Sequence, residues 1–316
     1  MAEPPSPSRA SGVAAGPGDD PGVLPWLIDE GRSLTRLGAF TLITLSTARL
    51  RFRENSRVML PRIFGEIHRC GVRLLPIVGF LGVVLGIVFV GQMLSLMEQV
   101  GAGKFTGTLM VTVFLREMAP MTAGLVVLAR VGTAAVIDLG TARALGEVEA
   151  LEALGIDPIH YLVVPRVAGF AAAVAALSLY LLVVSLGFGY VFAYARGLKA
   201  SPVEFLTQVA GAMSALDFPL LILKTLMFGT LTGLVICYHG LARPLTLAEV
   251  GTATTRTVAV CVVGCLIIDA AFIVVFAEYL EVLAEGLQKV GLRVVLPFSP
   301  GSLVPEPGNA SNVVLP

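Results

Sequence analysis

The stretch LVVPRVAGFAAAVAALSLYLLVVSLGFGYVFAY, residues 162–194, contains a single charged side chain, Arg166, and decides what kind of fold this chain can adopt. A helix of about 20 apolar residues spans the hydrocarbon core of a bilayer. The stretch is therefore expected to form a transmembrane helix. Because it is longer than the membrane requires, it should tilt, kink or project beyond the bilayer.

The composition of the whole chain agrees with a membrane protein. Its 316 residues are 56% hydrophobic and 14% charged, and the mean hydropathy is +0.86, whereas about a quarter of the residues of a soluble domain are charged. The formal net charge is zero, so the chain lacks the basic excess with which nucleic-acid-binding proteins neutralise phosphates. We therefore expect an all-α integral membrane protein and no nucleic-acid partner.

Four further apolar segments are long enough to cross a bilayer. They are Leu74–Met97, Leu109–Val131, Pro219–Leu241 and Val258–Leu280. Together with residues 162–194 they predict about five transmembrane helices. Glycines recur at four-residue spacing inside two of these spans: Gly82 and Gly86, and Gly229 and Gly233. Such small residues allow membrane helices to approach each other closely.

The regions that flank the spans differ in character. Residues 1–25 are rich in Pro, Gly, Ser and Ala and should form a disordered tail, and residues 286–316 should form a C-terminal tail. Residues 26–73 mix apolar patches with arginines, which predicts amphipathic helices lying in the membrane interface. The transmembrane domain itself is expected to occupy residues 74–285.

The arginines of residues 26–73 also predict the orientation of the chain, because positively charged segments stay in the cytoplasm. The amino terminus should therefore be cytoplasmic. Five crossings would then place the acidic segment that begins at Ala144 in the cytoplasm. The loop Arg196–Asp217 and the carboxyl end would lie outside.

Several ionisable residues lie inside the predicted spans, where charge is costly unless it faces a partner, the protein interior or water. Arg116 and Glu117 lie near the middle of the second span, and Lys224 lies at a comparable depth in the fourth. We hypothesise a Glu117–Lys224 ion pair; the alternative is that Lys224 snorkels to the interface. Asp269, in the fifth span, would be satisfied by a hydroxyl group or belong to a gated pathway. Pro120 should kink the second span and free a carbonyl group.

An enzymatic role finds no support in the sequence. No nucleotide-binding GxxxxGK[ST] loop, GxSxG motif or HExxH motif is present, and His68, His160 and His239 are scattered. The four cysteines form no CxxC pair and should be reduced structural residues and not zinc ligands. We expect a protein that is not an enzyme and that holds no cofactor and no metal ion.

The segment ALGEVEALEALGIDPIHYLVVPR, residues 144–166, separates two apolar spans and carries four acidic residues. Its apolar side chains recur every three residues and cover a wide arc of a helix. They are Leu145, Val148, Leu151 and Leu154, with Glu147, Glu149 and Glu152 between them. This pattern fits a short helix set into a groove of a protein. Gly155 should end that helix, and Asp157 and Pro158 should cap and begin the next, which makes the connection rigid.

Several motifs in register resemble the MlaE/YrbE family, the permease subunits of the lipid-transport ABC systems that work with MCE-domain proteins. The motifs are FLREMAP (114–120), ARVGTAAVIDLGTAR (129–143), EALEALGIDPIHYLVVPR (149–166) and VGTATTRTV (250–258), within a similarity over Ile28–Phe276. The resemblance implies a homodimer in the bacterial inner membrane, so that the outside on which the carboxyl end is expected is the periplasm. It also implies an ABC ATPase partner, an MCE-domain partner outside, and a phospholipid or related lipid as substrate.

The resemblance implies roles for individual residues as well. The segment 144–158 would be the cytoplasmic coupling helix that docks on the ATPase. The candidate residues inside the membrane are Gln92, Arg116, Glu117, Lys224, Arg256 and Asp269. Among them, Arg256 matches the arginine of the family's TTR motif, and Gln92 matches a polar position near its lipid path. Gly146 departs from the family pattern, because relatives usually carry an acidic residue there.

The leading hypothesis is a lipid permease whose spans are rocked by ATP binding in partner subunits, which changes a lipid cavity at the dimer interface. Two alternatives stay open. An ion- or proton-coupled secondary transporter would use Glu117, Lys224 and Asp269 as a relay, and its transport would continue without an ATPase. A membrane scaffold would transport nothing, but a scaffold has no need of costly buried charges.

Overall fold

The computed structural model describes residues 37–44, 46, 56–101, 106–197, 201–214, 217–241 and 250–289, and for 56–58, 98, 250–253 and 276–289 the description covers the backbone alone. Across these residues the regular structure is helical, without a strand, and five helices are long and apolar enough to cross a membrane. The expected all-α membrane fold is confirmed. The predicted tail 1–25, nearly all of the tail 286–316 and the arginines at 32, 36, 49, 51 and 53 lie outside the described residues.

The helices are numbered here in chain order from residue 56. They are α1 (56–99), α2 (Thr106–Ala144), α3 (Glu147–Ala153), α4 (Ile159–Ala195), α5 (Pro202–Ala212), α6 (Asp217–Leu241) and α7 (Val250–Lys289). The membrane spans belong to α1, α2, α4, α6 and α7. The short helix α3 connects α2 to α4 at one end of the bundle, and α5 connects α4 to α6 at the other. These ends are called the α3 side and the α5 side.

Two helices run further than the apolar pattern predicts. Helix α2 continues past the predicted end at Val131 to Ala144, because the alanine-rich sequence favours helix until Gly146 adopts a left-handed conformation. Helix α1 includes Ser56–Cys70, which a short 3-10 turn joins to the predicted span. The predicted interfacial helix is thus continuous with the first span. At 39 residues, α2 is about 58 Å long and extends beyond a hydrocarbon core of about 30 Å.

Helix α4 is central, since it packs against α1, α2 and α6. Both predicted glycine pairs lie at its contacts. A β-carbon on Gly229 of α6 would lie 2.5 Å from Ala171 Cα, and one on Gly86 of α1 would overlap the carbonyl oxygen of Ser185. A β-carbon on the other glycine of each pair would also meet α4, at 3.0 and 2.9 Å. The close helix approach predicted at these glycines is confirmed.

The spans α6 and α7 differ most in burial. In the most apolar 18-residue stretch of α6, 61% of the residues are buried inside the chain, whereas the corresponding share in α7 is 11%. Helix α7 packs against α6 and against the α3-side end of α2. Its outer face carries exposed apolar side chains, among them Val263, Leu266 and Ile267. That face is available to lipid or to another helix.

Helix α5 is not predicted by the apolar pattern, because it falls in the connection between the third and fourth spans. The hydroxyl oxygen of Ser201 accepts a hydrogen bond from the Glu204 N–H at 3.2 Å, and the Glu204 carboxylate accepts one from the Ser201 N–H at 2.9 Å. This reciprocal capping box fixes the first turn, and the sequence Ser-Pro-Val-Glu is the signal that predicts it. Phe205 and Val209 are buried, and α5 packs against the start of α2.

Candidate functional site: a charge cluster and an apolar cleft between the spans

Lys224 of α6 lies at the centre of a charge cluster inside the bundle. Its ammonium nitrogen is 2.9 Å from Glu117 Oε2 of α2 and 2.6 Å from Asp269 Oδ1 of α7, and its side chain is 5% exposed. The hypothesised Glu117–Lys224 ion pair is therefore present, and Lys224 does not snorkel to the interface. Asp269 forms an ion pair with the same cation, and no hydroxyl group bonds to its buried Oδ1 atom among the described residues. One lysine links three spans.

Pro120 explains a further contact of this lysine. Proline has no N–H group, so the carbonyl group four residues earlier loses the donor that a regular α-helix provides. That carbonyl belongs to Arg116, and Lys224 Nζ donates a hydrogen bond to it at 2.8 Å. The freed carbonyl that the sequence predicts is thus bonded by the lysine, which attaches α6 to the backbone of α2 as well as to a side chain.

Arg116 binds a different residue from its neighbour Glu117. Its Nε and Nη2 atoms lie 2.9 and 2.8 Å from Asp217 Oδ1, and the Asp217 side chain is 1% exposed. The second oxygen of Asp217 accepts a hydrogen bond from the Ser214 N–H at 2.7 Å. The sequence pattern puts Asp217 in an outer loop and misses this pair. The signal that was present is the seven-residue spacing of Asp217 and Lys224, which places both on one face of α6.

An open apolar cleft of about 190 Å³ lies between α1 and α2 on the α5 side. Its apolar lining includes Val88, Phe89, Leu96, Met110, Val113 and Phe114. Among the described residues that line it, Gln92 alone is polar, and its side chain is exposed. The α2 wall contains the π-helical segment Met110–Met118, which also carries Arg116 and Glu117. The cleft and the charge cluster therefore share one segment of α2.

The predicted coupling segment folds as a short helix between two glycines. Gly146 and Gly155 have φ values of 75° and 73°, a left-handed conformation that glycine adopts without the strain of a β-carbon. The N–H groups of Gly155 and Ile156 donate back to carbonyl groups of α3 at 2.9 and 3.0 Å, as in a Schellman motif. The predicted helix stop at Gly155 is confirmed.

The next helix begins at once. Asp157 Oδ1 accepts a hydrogen bond from the Ile159 N–H at 3.0 Å, and Pro158, directly before Ile159, is already helical, where a missing N–H group costs nothing. The predicted cap at Asp157 and helix start at Pro158 are confirmed. Only two residues separate the glycine stop of α3 from the helical residues that lead into α4.

The side chains of this segment divide into an exposed and a buried set. The exposed set is Leu145, Glu147, Glu149, Glu152 and Leu154. Val148 is 4% exposed and packs within the chain, and Leu151 is half-buried. The predicted arc of partner-facing apolar residues is therefore too wide, because it includes the buried Val148. Val148 holds α3 against its own bundle, because the turn of α3 that carries it faces α2.

Arg143, near the end of α2, contacts both α3 and α6. Its Nη1 atom donates a hydrogen bond to the carbonyl oxygen of Leu241, the last residue of α6. Its Nε atom lies 3.9 Å from the Glu149 carboxylate of α3. The end of α2, the helix α3 and the end of α6 therefore meet at one arginine.

Replacing Gly146 with alanine is expected to lower the free energy of unfolding by about 1–2 kcal/mol, because a β-carbon is strained at this φ. Space is not the cause, since no atom lies within 4 Å of a β-carbon placed there. Thermal unfolding in detergent measures the change. Gly211→Ala, in the helical backbone of α5 and with equally open surroundings, is the control and should not destabilise. Equal losses in both variants would contradict the conformational explanation.

The predicted intramembrane residues do not all meet. Arg116, Glu117, Lys224 and Asp269 form the cluster, and Gln92 lies in the cleft. Arg256 is exposed near the start of α7, about 20 Å along the helix axis from Asp269. In the parts of the chain that the structure describes, no group of three His, Cys, Asp or Glu side chains could hold a metal ion. The four cysteines are buried free thiols.

The described helices, with ion pairs in their interior, define a multi-pass α-helical membrane protein. The family model described as Permease MlaE matches residues 63–275, which is more than half of the chain. The protein belongs to the MlaE permease family of ABC transporters. Permeases of such transporters function with an ATPase subunit, so an ATPase partner follows from membership, and family members are typically not enzymes themselves.

Individual relatives agree with this assignment. The chain is 28% identical over 226 residues to a probable ABC transporter permease protein of Rickettsia prowazekii (strain Madrid E), covering 70% of this chain and 82% of the relative. It is 31% identical over 174 residues to one of Synechocystis sp., covering 55% and 66%. It is 26% identical over 205 residues to the chloroplastic protein TRIGALACTOSYLDIACYLGLYCEROL 1 of Arabidopsis thaliana, covering 65% and 58%.

Proposed function

We propose that the protein is the permease subunit of an ABC-type lipid transporter, which moves phospholipid or a related lipid between the inner membrane and an MCE-domain partner. The apolar cleft between α1 and α2 carries this proposal. Its volume of about 190 Å³ is smaller than that of a typical ligand pocket, but the cleft is open along one side, so an acyl chain can lie against its apolar walls. Gln92 offers a polar contact to a headgroup. The name of the Arabidopsis relative contains that of a galactolipid, which supports a lipid substrate.

The charge cluster would transmit motion to this cleft. Lys224 bonds to groups of α2 and α7, so α2, α6 and α7 are held to each other inside the membrane. ATP binding by the partner biases the bundle between two arrangements. A shift of the three linked helices relative to α1 then widens or narrows the cleft, because α2 forms one of its walls.

The exposed face of α3 is the proposed docking site for the ATPase. Leu145 and Leu154, 71% and 74% exposed, would fill apolar depressions of the partner, and Glu147, Glu149 and Glu152 would make its polar contacts. ATP binds to that partner, and the permease needs no cofactor of its own. The α3 side is then cytoplasmic, the amino terminus lies in the cytoplasm and the carboxyl end in the periplasm. A reporter fused after Pro316 that proved cytoplasmic would contradict this topology.

The transporter is proposed to contain two copies of this chain. The sequence carries no internal duplication of its spans, so a two-fold transport path requires a second copy. The exposed apolar face of α7, with Val263 and Ile267 on it, supports such a contact within the membrane. The MCE-domain partner would meet the dimer on the α5 side, where the cleft opens.

Val113→Trp tests the role of the cleft, because this residue lines it on α2. Filling the cleft should reduce lipid-stimulated ATP hydrolysis about tenfold, measured in proteoliposomes that contain the permease and its co-expressed ATPase. Leu125→Trp is the matched control. Leu125 lies on the same helix with the same exposure, 37% against 38%, but outside the cleft. Equal hydrolysis in both variants would contradict a lipid site in the cleft.

The same proteoliposomes separate the alternative functions. Lipid transfer that continues without the ATPase and stops when the membrane potential collapses would indicate an ion-coupled transporter with Glu117, Lys224 and Asp269 as its relay. Complete absence of lipid-dependent hydrolysis and transfer in the assembled wild-type complex would indicate a scaffold. Hydrolysis that depends on lipid and on the cleft supports the ABC lipid permease.

A further inference from the structure

A second cleft lies on the α3 side of the bundle, between α1 and α4. Its volume is about 190 Å³, and its lining includes Arg62, Gly65, Glu66, Tyr161, Pro165 and Arg166. The apolar cleft is on the α5 side, so the two openings belong to opposite ends of the bundle. The transport role proposed above uses none of these residues. The transport role therefore does not account for the two arginines, Arg62 and Arg166, in this open cleft at the end of a membrane span.

Tyr161 holds Arg62 at this cleft. The guanidinium carbon of Arg62 lies 3.3 Å from the centre of the Tyr161 ring, and its terminal nitrogens donate hydrogen bonds to the hydroxyl group and the carbonyl oxygen of Tyr161. Stacking and two hydrogen bonds fix the plane of the guanidinium group. Both partner groups are neutral, so they orient the positive charge without compensating it. Three of the five N–H donors of an arginine remain for other acceptors.

Arg166 supplies a second positive charge from the opposite wall. Its Nε atom is 3.6 Å from Glu66 Oε1, which is too far for a hydrogen bond. Glu66 also lies 3.3 Å from Arg69, and Arg69 lies 3.2 Å from Asp138. Three guanidinium groups at the cleft and its rim therefore face two carboxylates. The buried Nη1 atom of Arg166 has no hydrogen-bond partner among the described residues, although buried polar atoms normally have one.

We propose that this cleft binds an anionic phosphate group, supplied by the headgroup of a phospholipid or by free phosphate. Arg62 and Arg166 offer charge-assisted donors from two walls, and one bound anion balances the excess guanidinium charge. The surroundings favour the lipid as the source. Leu60 and Phe64 are 46% and 62% exposed on α1, four residues apart and next to Gly65, so acyl chains would find apolar surface beside the bound headgroup.

Gly65 allows a test that removes no existing contact. No atom lies within 4 Å of a β-carbon placed on it, so Gly65→Glu adds a negative charge to the cleft without crowding, and Gly65→Ala is the matched neutral control. Arg166→Gln removes one donor, and Arg73→Gln, at an exposed arginine of α1 outside the cleft, is its control. The thermal midpoint without ligand establishes that each variant is folded.

The purified full chain is transferred into detergent micelles that contain phosphatidylglycerol, or diacylglycerol with the same acyl chains, and bound lipid is measured by native mass spectrometry. We expect wild type, Gly65→Ala and Arg73→Gln to retain phosphatidylglycerol equally. Gly65→Glu and Arg166→Gln should bind the phosphatidylglycerol of this cleft about tenfold more weakly or worse, and should therefore retain one lipid fewer per chain. Diacylglycerol, which lacks phosphate, should bind weakly to all five proteins.

A parallel titration with inorganic phosphate distinguishes the two sources. A rise in the thermal midpoint of wild type that Gly65→Glu abolishes assigns the site to free phosphate. Lipid retention without such a rise assigns it to a phospholipid headgroup. Equal lipid retention and equal phosphate response in all five proteins would overturn the proposal, and so would diacylglycerol binding as tight as that of phosphatidylglycerol. Neither measurement needs the ATPase, so failure here is distinguishable from failure of the transport role.

Discussion

Lys224→Met is expected to lower the free energy of unfolding by about 3–5 kcal/mol, the usual cost of removing one partner of a buried ion pair. The substitution leaves the carboxylates of Glu117 and Asp269 inside the bundle without their cation. It also removes the donor that Lys224 provides to the Arg116 carbonyl. Thermal unfolding in detergent and the yield of monodisperse protein on size-exclusion chromatography measure the loss.

A triple variant is the control for this prediction. Combining Lys224→Met with Glu117→Gln and Asp269→Asn removes both uncompensated carboxylates together with the cation. Because the cost of the single change comes from unpaired charge, the triple variant should recover most of the lost stability. A triple variant as unstable as Lys224→Met alone would mean that the lysine acts through packing and not through its charge.

Gly229→Leu is expected to prevent α6 from packing on α4, at a cost of about 3 kcal/mol or more, the upper range for overpacking. A β-carbon at this position would lie 2.5 Å from Ala171 Cα and 2.6 Å from the Phe170 carbonyl oxygen. Both are backbone atoms in the middle of a helix, so neither can rotate away as a side chain would. The thermal midpoint in detergent and protection of α6 from hydrogen exchange are the measurements.

The matched control is Gly187→Leu on α4. A β-carbon on Gly187 meets no atom within 4 Å, and the residue is exposed. The same glycine-to-leucine change in a membrane-spanning helix should therefore leave the midpoint near that of wild type. Loss of stability in both variants to the same extent would show that flexibility of the glycines, and not close packing at Gly229, is what the fold requires.

The number and type of spans are predictable from the sequence because hydropathy acts locally along the chain. The ends of the spans are harder to predict from the sequence. Apolar character stops near Val131, but the helix continues to Ala144, since intrachain hydrogen bonds and helix propensity do not depend on contact with lipid. Helix ends follow local capping chemistry instead. For that reason Gly155, Asp157 and Pro158 are correctly predicted while the end of the apolar pattern is misleading.

The charge cluster is predictable in part. Glu117 and Lys224 have comparable depth in two long spans, and depth can be counted along a sequence. The rotation of each helix about its own axis cannot be counted along a sequence, because it depends on how the side chains of several helices pack together. That is why the sequence leaves Asp269 without its lysine and Arg116 without Asp217. Burial of Val148 is missed for the same reason, since its neighbours come from the packing of α3 on α2.

The seven-residue helix α3 is attached to both walls of the apolar cleft. One end continues through Gly146 into α2, which is the first wall. The other end continues through Asp157 into α4, and α4 grips α1, the second wall, where Gly86 meets Ser185. Under the proposed coupling role, these helices of 39 and 37 residues, about 58 and 56 Å long, would move together with α3. A small displacement of α3 at one membrane surface would then change the width of the cleft opening at the opposite surface.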